Sequence, residues 1–158
     1  MKFWNTLKNT LTRKPKTATD FIDKFIRDSK KSRVQLEIIR DNNILIQTDS
    51  LKYTPSWFKV FKVSKNEFKN GFVIFFVIDL EKIETNEKFL RYKNSQLKLM
   101  EVDEMIDKTP IRTFAKFLKE TNDPVYLGKE LKKIIDVIYK SNELDPQALF
   151  NLRYINTK

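Results

Sequence analysis

A chain of 158 residues with 41% hydrophobic and 13% aromatic side chains is long enough for one domain with a core of its own, and it carries a net charge of +10. It contains no histidine, no cysteine and only two glycines, Gly71 and Gly128. These absences exclude Ser-His and Cys nucleophiles, imidazole or thiolate metal sites, and the clustered glycines of a P-loop or dinucleotide fingerprint.

Taken in chain order, Phe3, Trp4, Leu7 and Leu11 fall on one helical face, so residues 1–16 read as a basic amphipathic helix or arm. Pro15 ends it, because the residue before a proline is driven out of the α region. Thr17 or Thr19 then caps a second helix, with Phe21, Ile22, Phe25 and Ile26 facing inward to about Lys31. Val34, Leu36 and Ile38 alternate with Gln35 and Glu37, which predicts a strand over 34–39. Asp41-Asn42-Asn43 is turn chemistry and returns the chain as a strand over 44–49.

Further strands are expected over 57–63, 72–80 and 97–102. Asn70-Gly71 marks the turn before the most apolar of them. Thr109-Pro110, Asp123-Pro124 and Asp145-Pro146 each set a capping residue before a proline at a first helical position. They predict two to three C-terminal helices, bearing Ile111/Phe114/Ala115/Leu118, then Leu127/Leu131/Ile134/Ile135/Ile138, then Leu149/Phe150. The expected fold is α+β in a single domain: one antiparallel sheet of four to five strands, covered on one face by helices.

Charge is the main functional signal. Lysines number 24 against 7 arginines, with 12 asparagines, a composition that an AT-rich genome favours. Drift of that kind spreads charge evenly, yet residues 1–72 hold 16 basic and 7 acidic side chains, and residues 73–158 hold 15 and 14. The excess lies in 1–19, with Lys8, Arg13, Lys14 and Lys16, and in 52–72, with Lys52, Lys59, Lys62, Lys65 and Lys69. Both point to an acidic partner for the first half.

Tyr53, Trp57, Phe58, Phe61, Phe68 and Phe72 interleave with the second lysine group. Lysines along phosphates with aromatic rings under bases is one way to hold single-stranded nucleic acid, which makes that the alternative partner. The run Lys69–Phe75 is similar to the RNP1 motif of RNA-recognition modules, but Asn70 intrudes and a second small residue is missing. Alternation sets Trp57, Lys59, Phe61 and Val63 on one face and Phe58, Val60 and Lys62 on the other. Both faces are then half buried, which favours a protein partner over a nucleic acid. Lysine in place of arginine favours it too, since base-edge and bidentate phosphate contacts select arginine.

Other chemistry is weaker. Asp49 with Glu67 and Lys69 has the residue types of a PD-(D/E)xK nuclease, without its strand placement. Asp79/Glu81/Glu84 and Glu101/Asp103/Glu104/Asp107 group carboxylates without EF-hand spacing. The basic arm has too small an apolar face for a membrane surface to be its expected target. No stretch is long and apolar enough for a bilayer span, and the lack of cysteine suits a reducing compartment, so a cytoplasmic site is expected. The sequence therefore predicts a non-enzymatic module without cofactor or metal, of the adaptor, chaperone or immunity type. The order of helix, strands and helices is shared by small bacterial proteins of those classes.

Overall fold

Thr17 starts the first helix of the structure, a computed structural model that describes residues 17–40, 43–139 and 150–155. Its hydroxyl accepts from the Asp20 N–H at 3.1 Å, and the Asp20 carboxylate accepts from the Thr17 N–H at 3.2 Å. This reciprocal capping box begins helix α1, Ala18–Asp28, which buries Ile22, Phe25 and Ile26. The chain continues as strands β1, Val34–Arg40, and β2, Asn43–Ser50. Two short helices follow, α2 at Ser56–Phe61 and α3 at Lys65–Phe68, and then strand β3, Phe72–Asp79.

A 3-10 turn over Leu80–Thr85 leads into α4, Glu87–Lys93, whose first N–H groups are capped by Asn86. Strands β4, Met100–Ile106, and β5, Thr109–Leu118, form a hairpin. Asp123 then caps α5, Pro124–Ile138, with Pro124 in its first turn. Strand β6, Phe150–Tyr154, returns to pair with β1. The six strands form one antiparallel sheet in the order β4-β5-β3-β2-β1-β6.

The α+β class with one antiparallel sheet stands, and β1, β2, β3 and α5 lie where the sequence pattern puts them. Several expectations are corrected. The strand expected over 57–63 is instead helix α2, which ends at Phe61 with a turn at Lys62, because Trp57, Phe58 and Phe61 group on one side and Lys59 and Val60 on the other. Residues 109–118 are a strand. The spacing of Ile111, Phe114, Ala115 and Leu118 mimics a helix because β5 is interior to the sheet and buries residues on both faces. The strand expected over 97–102 begins at Met100 and runs on to Ile106. Phe150, expected on a third C-terminal helix, opens β6; the rest of that expected helix and the arm over 1–16 lie outside the described residues.

The sheet is covered on both faces rather than one. On one, Val34, Leu36, Ile38, Ile46, Phe72, Ile74, Phe76, Phe114 and Leu118 pack with the buried residues of α1 and α5. Phe114 is its centre, stacked on Phe76 at 4.9 Å, with Tyr92 and Phe89 of α4 at 5.1 and 6.0 Å. On the other, Leu51, Val73, Phe75, Ala115 and Phe117 lie under α2 and α3. Each fully buried aliphatic or phenyl group contributes roughly 1.5–3 kcal/mol.

The β4–β5 turn is strained. Asp107 and Lys108 have φ of 47° and 68°, the left-handed pair that a two-residue hairpin demands and that Asn-Gly fills without steric penalty. The double substitution Asp107→Asn/Lys108→Gly is therefore expected to raise stability by about 1 kcal/mol in urea unfolding, with the fold unchanged.

Candidate interaction surface

The segment bearing the lysine group folds as a cap on the second face of the sheet. Pro55 precedes α2 and fixes the entry; Lys62 in the left-handed conformation, φ 54°, ends it and turns the chain toward α3. The aromatic side chains turn inward. Trp57 lies 5.6 Å from Phe61 and 4.6 Å from Phe75, measured between ring centroids. Phe58, Phe61 and Phe68 surround Phe117 at 6.3, 5.7 and 5.6 Å for Phe58, Phe68 and Phe61 respectively.

The lysines turn outward. Lys59 and Lys62 on and after α2, Lys65 on α3 and Lys69 at its end are all exposed, with Glu67 the one acid among them. Lys52 is exposed as well but is tied to the end of α1, its Nζ donating to the Lys30 carbonyl at 2.7 Å while lying 5.4 Å from the Tyr53 ring centre. The structure thus brings Lys59, Lys62, Lys65 and Lys69 onto one cap and holds Lys52 at a neighbouring turn. Lys8, Arg13, Lys14 and Lys16 lie outside the described residues.

Beside the cap, the same sheet face changes character. Across the strands, Phe117 pairs with Val73 and Val73 with Asp49, and Phe75 pairs with Gln47, Gln47 with Glu37 and Glu37 with Asn151. Apolar side chains on β5 and β3 give way to amides and carboxylates on β2, β1 and β6. Asp49, 1% exposed, accepts from Arg33 at 3.2 Å and Gln35 at 2.9 Å, and also from the Ser50 N–H at 3.1 Å. Glu37, 2% exposed, accepts from Asn151 at 3.0 Å and Gln47 at 3.4 Å.

The alternation of Gln35 and Glu37 with Val34, Leu36 and Ile38 predicts the strand but not this network. Its signal was present: Gln35, Glu37, Gln47 and Asp49 occupy one face of a single hairpin. Every carboxylate oxygen there has a donor, so the network pins the pairing of β2, β1 and β6.

Several of the remaining carboxylates also serve the fold. Asp49 is committed to Arg33 and Gln35, while Glu67 and Lys69 stand exposed on the cap, so the three nuclease-type residues share no network. Asp79 caps the 3-10 turn by accepting from the Glu81 N–H at 2.9 Å. Arg112 donates to Asp103 at 2.7 and 3.1 Å and holds that carboxyl below the usual carboxylate range, with Glu101 at 3.6 Å. Burial pushes the Glu130 carboxyl up, but Lys116 at 2.5 Å and Lys133 at 2.9 Å hold it below its ordinary value. Among the described residues no three carboxylates converge as metal ligands, and no helix is long and apolar enough to cross a membrane.

A mostly apolar groove of about 410 Å³ lies between α1 and α5, lined by Ile22, Val125, Leu131, Ile135 and Phe150 together with Lys129, Lys132 and Asp136. Comparison of the chain with protein-family models, with curated proteins and with solved structures gives no match.

Proposed function

We propose that the protein is a non-enzymatic binding module whose basic cap receives an acidic surface of a protein partner. The observation that carries this reading is the division of labour within α2 and α3. Their phenyl and indole groups are spent on the sheet, and their ammonium groups are presented to solvent. A single-stranded nucleic-acid site needs aromatic faces open between the lysines. Here Phe58 and Phe61 are buried and Trp57 is packed between Phe61 and Phe75. Mobile lysines of one sign steer an oppositely charged protein surface and set its orientation without demanding the fixed geometry that arginine forks give.

The test is the triple reversal Lys59→Glu/Lys62→Glu/Lys65→Glu, which touches no packed ring. A protein partner captured from nuclease-treated native lysate should be retained by the natural chain, released as salt shortens the Debye length, and absent with the variant at an unchanged melting temperature. Trp57→Ala should behave differently, lowering stability by roughly 3 kcal/mol, as truncation of a packed aromatic does. Sub-micromolar binding of single-stranded RNA, lost in a Trp57→Ala protein of normal stability, would overturn the reading.

A further inference from the structure

We propose that β4 is a docking strand: its outer edge pairs with an extended basic segment of a protein partner, adding a seventh strand to the six-stranded sheet. This goes beyond the proposed function, because the surface is a backbone edge opposite in sign to the lysine cap, although α2 of that cap packs beside β4.

The backbone groups that would make the bonds follow from the hairpin. A two-residue turn at Asp107-Lys108 makes Ile106 and Thr109 a hydrogen-bonded pair, and antiparallel pairs alternate. Glu104–Ile111 and Val102–Thr113 are then bonded pairs, whereas Met105–Pro110, Asp103–Arg112 and Glu101–Phe114 are not. Pro110, which has no N–H to give, sits at one of the positions where none is needed. The N–H and C=O groups of Glu101, Asp103 and Met105 therefore point away from β5, toward an edge on which no described strand lies.

Natural sheets blunt such an edge with charged side chains, proline, a bulge or brevity. β4 has no proline or bulge and runs seven residues in unbroken register with β5, so its guard is charge alone, and acids repel another acidic edge but not a basic strand. It also presents Met105 at 66% and Ile106 at 51% exposure. Its charge specifies the occupant. Glu101, Asp103 and Glu104 give β4 three acids and no base in a chain of net charge +10, and Asp107 stands beside Lys108 in the turn. Arg112 answers the first two, and Glu104 and Asp107 have no ion-pair partner among the described residues. A second copy of β4 laid antiparallel on this edge would set acid against acid, whereas alternating basic and apolar side chains match both the charge and the exposed Met105 and Ile106.

The test uses the full chain with a short peptide alternating valine and lysine, and a valine–glutamate peptide as control. Binding is read from backbone amide shifts and hydrogen exchange. The lysine peptide should shift the amides of Glu101, Asp103 and Met105 and slow their exchange; the glutamate peptide should not. Met105→Pro removes an outward donor while leaving the β5 ladder intact, and should weaken binding at least about tenfold where Met105→Ala does not. Glu104→Lys, which leaves the backbone alone, should weaken it as well. The triple lysine-cap variant should bind the peptide at least as tightly as the natural chain, because it removes positive charge beside the edge, and this separates failure here from failure of the proposed function. Absence of lysine-peptide binding, equal binding of both peptides, or equal loss with alanine and proline at Met105 would overturn the proposal. Slow exchange of the three amides in the protein alone would do the same, since it would mean that a second copy or residues 1–16 already occupy the edge.

Discussion

Replacing Gly71 with alanine is expected to destabilise the protein by on the order of 4 kcal/mol, one of the largest effects of any single methyl group in the chain. A Cβ at this position would lie 2.0 Å from the Leu118 carbonyl oxygen, 3.0 Å from the Phe68 oxygen and 3.1 Å from the Leu118 carbonyl carbon. All three atoms are backbone, so no rotamer change relieves the overlap, and β3 and β5 must separate where Phe72 pairs with Leu118. The Leu51 N–H donates to the Gly71 carbonyl at 2.9 Å, which ties the same residue to β2's end as well.

The other glycine supplies the contrast. A Cβ on Gly128 meets only the end of the Ile22 side chain, at 3.4 Å, within α5. Gly128→Ala removes helix-opposing backbone entropy and should stabilise by up to about 1 kcal/mol. Urea unfolding of the two variants, read by far-UV circular dichroism, should move the midpoint in opposite directions. A Gly71→Ala protein as stable as the natural one would mean that β3 and β5 do not pass this closely.

Phe114→Ala should be comparably severe, with a loss of roughly 3–5 kcal/mol. The residue has 0% exposure and touches Phe76, Phe89 and Tyr92. Two of those rings belong to α4, which has no fully buried residue of its own. Truncation therefore leaves a cavity and also removes the surface on which α4 lies. Phe114→Leu fills much of the space and should cost about 1.5 kcal/mol, as size-conserving core changes do. Hydrogen exchange should show the Leu90 and Tyr92 amides opening before the strands in the alanine variant; uniform loss of protection would instead place α4 inside the main cooperative unit.

What the sequence yields depends on how many faces an element buries. β1 and β2 carry a period of two, and α5 a period of 3.6 with a proline-led cap, so their patterns name them. β5 buries both faces, and its run of apolar residues satisfies a helix template as well as a strand one; Thr109-Pro110 then tips the reading the wrong way. α2 is six residues long, under two turns, too short for its period to be told from alternation. The lysine group was legible as charge, and the inward turn of its aromatics became visible only once β3 and β5 were in place beneath them. The acidic β4 edge was legible only as a carboxylate cluster, because edge position is a property of strand order and no local pattern encodes it.

The pairing of β1 with β6 joins Val34 to Tyr154 and Ile38 to Phe150, contacts between residues more than a hundred positions apart. Closing so long a loop comes late in folding, because its entropy is lost before the ladder returns any stabilisation. On a ribosome, β1 is synthesised more than a hundred residues before β6 and waits with one side of its backbone unpaired until that strand has emerged. During that interval Val34, Leu36 and Ile38 lack the strand that finally flanks them, and the half-made sheet is open to other nascent chains. The same strand pair that completes the native sheet thus defines the window in which the protein is most prone to aggregate.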